Sequence, residues 1–168
     1  LLAAQQRIAR LANFDDLTGL PNRSHFTQLV DVALAGSRRN RHCAAVLAID
    51  LARMSTIGDT LGPDVAEELL RQVSQRFQMV LREADVLAKV GRDQFAVALL
   101  HMEQREHAGF VAKKLLTALE APFHIKAQTV HVDLSVGISV FPDDGPDVAS
   151  LLRFAEAAVK RIKAEEES

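Results

Sequence analysis

The spacing of apolar and polar residues separates short strands from longer helices. A continuous apolar run at 45–49 ends in Asp50, which is typical of a central strand with an acid at its carboxyl end. Over 63–82 the apolar residues instead recur at helical spacing, and Pro63 suits the first turn of a helix. The residues of that apolar face are Val65, Leu69, Val73, Phe77 and Val80.

Two neighbouring apolar runs predict a β-hairpin. They occupy 85–90 and 96–100 and flank the sequence Gly-Arg-Asp-Gln-Phe at 91–95. A glycine next to polar residues between two such runs is typical of a tight turn. The predicted tip therefore presents one glycine, one cation and one carboxylate.

The remaining pattern completes one domain of class α/β, in the α+β sense. It predicts helices over about 22–36, 104–120 and 151–163, and a second strand pair formed by 123–125 and 130–141. The predicted core order is β-α-β-β-α-β, the split βαβ arrangement of ferredoxin-like folds. We therefore expect one central mixed sheet flanked by helices.

The first residues predict a separate helix. Leu1, Ala4, Ile8 and Leu11 follow the spacing of a coiled-coil seam over little more than one heptad. A helix packed against its own domain explains the spacing equally well. We expect residues 1–13 to be a linker or signalling helix and 14–168 the domain itself, within a longer protein because the first residue is not Met.

Composition narrows the classes of function. The chain has 168 residues, 48% of them hydrophobic, which suffices for one core. A formal net charge of −2 argues against a nucleic-acid polymer as partner. The single cysteine excludes an intramolecular disulfide, and no apolar run approaches the ~20 residues that cross a bilayer. Any membrane attachment is expected outside this sequence, and the domain itself in the cytoplasm.

Four ordered blocks carry a family resemblance. Residues 15–23 contain Asp-Asp-Leu-Thr-Gly-Leu-Pro-Asn-Arg, 59–62 contain Asp-Thr-Leu-Gly, and 134–139 contain Leu-Ser-Val-Gly-Ile-Ser before Phe-Pro at 141–142. With the turn at 91–95, they resemble the GGDEF domains of diguanylate cyclases. That resemblance implies a nucleotide-cyclase-like fold and a place in cyclic di-GMP signalling, where two GTP molecules are joined on facing domains.

The resemblance also implies a divalent-metal site. Cyclase chemistry uses Mg²⁺ or Mn²⁺, which carboxylates bind and which offset phosphate charge. The matching positions are Asp50, Asp93 and the carbonyl of Leu51, with Asp93 as the catalytic acid. The alternatives are a helix-capping role for Asp50 and an ordinary hairpin position for Asp93.

Nucleotide contacts are implied at four further positions. Gly91 and Arg92 occupy the places of the two glycines that let phosphate approach the backbone, either because no Cβ fits or because φ is positive. Glu67 matches an acid that contacts guanine, with a longer reach than the usual Asp. Lys163 matches a phosphate-binding lysine, or is a solvated cation in the last turn of its helix.

Other positions depart from the family pattern. They are Ala52, Ser55, Gly58, Arg92 and Gln94, in place of an acid, a lysine, an asparagine, a glycine and a glutamate. Each lost hydrogen bond to the base removes roughly 1–3 kcal/mol of discrimination. In-line phosphoryl chemistry tolerates little displacement. The turn is therefore a degenerate form of the signature, and we do not expect catalysis.

A second ligand site is implied before the hairpin. Arg82 and Asp85 lie at the offset where the family carries its Arg-x-x-Asp inhibitory site for cyclic di-GMP. Arginine binds guanine edges and phosphate through charge-assisted hydrogen bonds. A salt bridge at the end of a helix explains the same two residues equally well.

Three functions follow from these residues. The first is a non-catalytic regulatory domain that senses cyclic di-GMP or GTP or supports a homodimer, with a sensor domain upstream and an EAL-type phosphodiesterase domain downstream. The second is a weak diguanylate cyclase that uses divalent metal. The third is a dimerisation spacer without ligand.

Overall fold

One four-stranded sheet forms the centre of the molecule, with helices on both faces. The structure is a computed structural model and describes residues 2–167. The helices are α1 Leu2–Asn13, α2 Arg23–Asn40, α3 Met54–Leu61, α4 Pro63–Val80, α5 His107–Ala118 and α6 Val148–Glu167. The strands are β1 Cys43–Leu51, β2 Val86–Gly91, β3 Gln94–Met102, β4 Phe123–Ile125, β5 Gln128–Val130 and β6 Leu134–Phe141. Among the helices of residues 2–167, none has the length and apolar content that a bilayer crossing requires.

The sheet is antiparallel, and not mixed as the sequence pattern predicts. Its strand order is β2-β3-β1-β6, and each neighbouring pair runs antiparallel. The crossover from β1 to β2 does produce two parallel strands, but β3 lies between them. The split βαβ prediction is therefore right, whereas no parallel strands are neighbours.

The second predicted strand pair is also wrong. Residues 123–125 pair with Gln128–Val130 in a small separate sheet, whereas Leu134–Phe141 forms the edge of the main sheet beside β1. The alternating pattern continues through 131–133, but the chain leaves both sheets there. Alternation predicts a strand locally and does not specify its partner.

Alternate residues of β1 pack into two cores. Leu47 and Ile49 belong to the larger core, which contains residues of α4 and α5 such as Phe77. Val46 and Ala48 belong to the smaller core, which contains residues of α2 and α6. A strand buried on both faces explains the unbroken apolar run in the sequence.

Close packing of α6 on β6 depends on one glycine. A Cβ added at Gly137 would lie 2.0 Å from the carbonyl oxygen of Ala155. This glycine belongs to the block at 134–139 that resembles the family, and its role is to let helix and sheet approach. The block therefore maintains the fold.

Candidate nucleotide cleft and Arg-Asp pair

An open cleft of about 650 Å³ lies between the β2–β3 turn and helices α3 and α4. Helix α3, which the sequence pattern did not reveal, begins just after β1 and forms one wall. The lining residues that the sequence singled out are Ser55, Gly58, Glu67, Arg92 and Asp93. The fold therefore brings several implied nucleotide contacts into one cleft.

The helical wall of this cleft offers few groups to a base. At Gly58 an added Cβ would lie 3.8 Å from the Cβ of Ala66, an ordinary contact, so the position has room for a side chain that it lacks. Glu67 is exposed, and its carboxylate lies 4.0 Å from the guanidinium of Arg71 one turn later. Such an exposed pair is weak, so Glu67 can turn toward a ligand.

The turn at 91–94 has an ordinary backbone. Positive φ angles occur at Gly19, Gly62 and five other described residues, but not at Gly91 or Arg92. An added Cβ at Gly91 would meet the side-chain oxygen of Gln94 at 2.4 Å, the end of a flexible group. Neither position therefore needs glycine for its φ angle, and Arg92 extends an exposed side chain without backbone strain.

Lys89 supports this turn from below, a role that the sequence reading missed. Its side chain is buried, and Nζ donates to the carbonyl oxygens of Gly91 at 2.5 Å and Arg92 at 2.6 Å. Burial lowers the pKa of Lys89, while the carboxylates of Asp15 and Asp93 oppose that shift. The sequence signal for this role was a single lysine inside an otherwise apolar strand.

The implied metal ligands lie at one end of β1 but in different surroundings. The amide of Leu51 donates to the carbonyl oxygen of Asp93 at 2.9 Å, which joins the strand end to the turn. The Asp93 carboxylate lines the cleft, whereas Asp50 lines a small cavity of about 50 Å³ beside α6. The ammonium of Lys163 on α6 lies 2.8 Å from Asp50 Oδ2. Within residues 2–167, no three histidine, cysteine or acidic side chains are grouped to hold a metal ion.

Arg82 and Asp85 form a closed pair after α4. Asp85 Oδ2 accepts from the amide of Arg82 at 2.9 Å, and Oδ1 accepts from its guanidinium at 3.0 Å. The same guanidinium donates to the carbonyl oxygen of Leu100 at 2.9 Å. The Asp85 side chain is 1% exposed and that of Arg82 is 47% exposed. The salt bridge considered from the sequence is present, and the ligand role remains a prediction.

The block at 15–23 fixes the approach of α1 to the domain. The Asp15 carboxylate accepts from the amide and hydroxyl of Thr18, and Asn22 caps the start of α2. The Asn22 side chain also donates to the carbonyl oxygen of Ala12 at 3.0 Å. The carbonyl oxygen of Pro21 accepts from the amide of Lys89 at 3.0 Å, so this block borders the hairpin strand.

Helix α1 itself leaves its apolar stripe uncovered. None of its described residues is buried, and Ile8 and Leu11 are 68% and 54% exposed. Leu1, the first residue of the predicted seam, lies outside the described residues. The stripe does not pack against its own domain, and the coiled-coil alternative remains a prediction.

Comparisons with known proteins agree on one family for this chain. The family described as "Diguanylate cyclase, GGDEF domain" matches residues 12–168. The cyclic di-GMP phosphodiesterase NbdA of Pseudomonas aeruginosa is 34% identical over 161 residues, which cover 96% of this chain and 20% of NbdA. The diguanylate cyclase TpbB of the same organism is 33% identical over 153 residues, covering 90% of this chain and 35% of TpbB.

A solved structure confirms the fold. The isolated GGDEF domain of TpbB superposes with a TM-score of 0.88 at 33% identity, covering 90% of this chain and 89% of that domain. The chain thus spans between one fifth and about one third of the length of these two relatives, one named for synthesis of cyclic di-GMP and one for its hydrolysis. On the family match and these identities, the chain belongs to the GGDEF domain family of cyclic di-GMP signalling proteins.

Proposed function

We propose that this domain is a regulatory nucleotide-binding module that holds guanine nucleotide in the cleft without converting it to cyclic di-GMP. The observation that carries the proposal is the cleft itself, which stays open and has Arg92 and Asp93 at its rim. An exposed guanidinium attracts phosphate. Because relatives of similar identity bear the names of a cyclase and a phosphodiesterase, the family alone does not decide between the two activities.

The contents of the cleft support binding more than turnover. Gly58 has no side chain with which to hydrogen-bond a guanine edge, and Ser55 has no charge for phosphate. A bound GTP therefore keeps little of the positional restraint that attack by a 3′-hydroxyl on an α-phosphorus requires. The long side chain of Arg92 further displaces the phosphates from the turn backbone.

The test separates binding from synthesis. The protein is incubated at high concentration with GTP and Mg²⁺ or Mn²⁺, and the products are resolved by chromatography, while GTP affinity is measured by calorimetry. We expect binding without cyclic di-GMP. A product that disappears in Asp93→Ala would show a working cyclase and contradict the proposal, as would a folded protein that does not bind GTP.

Cyclic di-GMP binding at Arg82 and Asp85 is a second candidate role. The exposed part of the Arg82 guanidinium can reach a ligand, but the ligand must compete with Asp85 and the Leu100 carbonyl. We expect Arg82→Ala to lose cyclic di-GMP binding in calorimetry while the circular dichroism spectrum is retained. Arg153→Ala on α6 is the matched control, and equal affinity in both variants would exclude the site.

We also infer that the domain acts within a larger cytoplasmic protein. The chain covers 20% of NbdA and 35% of TpbB, which leaves room for sensor and EAL-type domains as in the sequence-based expectation. The exposed stripe on α1 is suited to a homodimer. Sedimentation of Ile8→Glu against the parent chain tests this: an unchanged dimer, or a parent chain that is monomeric at high concentration, would exclude α1 as the interface.

A further inference from the structure

Both acids that the family resemblance assigns to a divalent metal lie beside a lysine of the same chain. The Asp50 carboxylate is 20% exposed and lies 2.8 Å from the Lys163 ammonium, whose side chain is 36% exposed. A charge-assisted contact at this distance and burial is stronger than an ordinary surface ion pair. The ammonium therefore occupies space beside the oxygen to which a metal would bind.

The second lysine lies under the turn that carries Asp93. Lys89 Nζ donates to the carbonyl oxygens of Gly91 and Arg92, the two residues immediately before Asp93. These contacts fix a buried positive charge at the turn. Arg92 adds an exposed one above it. One lysine thus contacts the first acid, and the other lies under the turn that carries the second.

The donor set does not fit a two-carboxylate metal site. Asp50 lines the small cavity next to α6, whereas Asp93 lines the larger cleft. A divalent ion at Asp50 would compete with the Lys163 ammonium for Oδ2. Mg²⁺ in nucleotide sites is held by one or two carboxylates together with water and phosphate oxygens, and the Asp50–Lys163 contact would leave Asp93 as the carboxylate that could still supply such a ligand.

We propose that the nucleotide site of this domain is metal-independent: Lys163 and Lys89 take the electrostatic place of the divalent ion, and Arg92 binds the phosphates directly. The ligand class is a guanine nucleotide polyphosphate free of Mg²⁺. The inference rests on the proposed nucleotide binding and adds the source of the compensating charge. Lys163 holds Asp50 neutralised, so that the carboxylate does not repel the phosphates.

The experiment measures GTP affinity by calorimetry in EDTA and again in excess Mg²⁺. We expect equal or tighter binding in EDTA. Binding that requires Mg²⁺ would overturn the inference and leave the proposed function intact. The absence of binding under both conditions, from folded protein, would overturn the proposed function and the inference with it.

Variants of Lys163 test the mechanism. Lys163→Met leaves the Asp50 charge uncompensated, so we expect affinity in EDTA to fall by about tenfold, with partial recovery in Mg²⁺. Lys163→Arg keeps a cation and should retain the parent behaviour. Lys113→Met, an exposed position on α5, removes the same charge far from the cleft and serves as the control. Equal affinities in Lys163→Met and Lys113→Met would contradict the role of Lys163.

Discussion

The block at 15–23 and the turn at 91–94 border the same hairpin strand, yet they use their polar side chains differently. In the first, Asp15, Asn22 and Arg23 all bind within the chain; the Arg23 guanidinium contacts Glu156 at 3.1 Å. In the second, the side chains of Arg92 and Asp93 make no hydrogen bond or ion pair with other described residues. The polar side chains of the first region bind other parts of the chain, whereas those of the second face the cleft.

This difference distinguishes the polar residues that maintain the fold from those that are available to bind a ligand. The block at 15–23 resembles the family pattern almost letter for letter and that at 134–139 resembles it more loosely, and their residues cap, bridge and allow close packing. Gly58 and Arg92, which the sequence resemblance predicts to be departures from the family pattern, line the cleft. Substitutions at such positions would alter ligand chemistry at little cost to folding, because function depends on the site and not on the fold alone.

Two glycine substitutions should show the largest contrast. Gly137→Ala places a methyl group 2.0 Å from a backbone carbonyl of α6, and we expect a loss of about 3 kcal/mol in the free energy of unfolding. Gly58→Ala meets only an ordinary contact in helix α3 and should raise stability by ~0.5–1 kcal/mol. Urea denaturation measures both, and equal effects would break the proposed division.

Two aspartates should give the next contrast. Asp85→Ala removes a nearly buried carboxylate that accepts three hydrogen bonds from Arg82, so we expect a loss of about 2 kcal/mol. Asp93→Ala lies in the open cleft and should change stability by no more than ~0.5 kcal/mol. The two melting temperatures then differ by several degrees. A comparable loss in Asp93→Ala would show that the turn, too, serves the fold.

The sequence predicted most elements because each buries a periodic apolar face. The hairpin at 86–102 and the long helix at 63–80 lie where the pattern placed them, within a few residues. Helix α3 was missed because its eight residues include a glycine and two threonines, so that packing rather than propensity stabilises it. The pairing of β6 was missed because partner choice depends on contacts far apart in the chain.

The resemblance named candidate residues that the fold brings together, but it did not predict their contacts, and their nucleotide roles stay predictions. The family pattern located Glu67, Arg92 and Asp93, which share one cleft. It did not show that Lys163 contacts Asp50, since that contact joins residues 113 positions apart through the packing of α6. Lys89 was missed because a strand pattern assigns it to an ordinary alternating position, whereas the fold buries it beneath the turn.

Lys89 provides a pH-dependent test of the contrast between residues that maintain the fold and residues that face the cleft. Burial lowers its pKa below the ordinary 10.5, so above the folded-state pKa the unfolded chain holds more protons than the folded one. Stability should therefore rise with pH as it approaches 10.5, relative to Lys89→Met, which lacks the titrating group. Urea denaturation of both proteins between about pH 8 and 10.5 measures the difference. A difference in stability that is constant or falls with pH would show that burial does not lower the pKa of Lys89.

Arg92→Gly should have a small effect on stability and addresses the turn directly. Since Arg92 has no positive φ, glycine relieves no strain there and only increases the freedom of the unfolded chain, so we expect a loss of ~0.5–1 kcal/mol. The same change removes the exposed guanidinium and should weaken GTP binding in calorimetry. Arg92→Lys is the control, because it keeps the positive charge but lacks the planar guanidinium. Tighter GTP binding in Arg92→Gly would mean that the arginine closes the cleft to phosphate, which would reverse its proposed role.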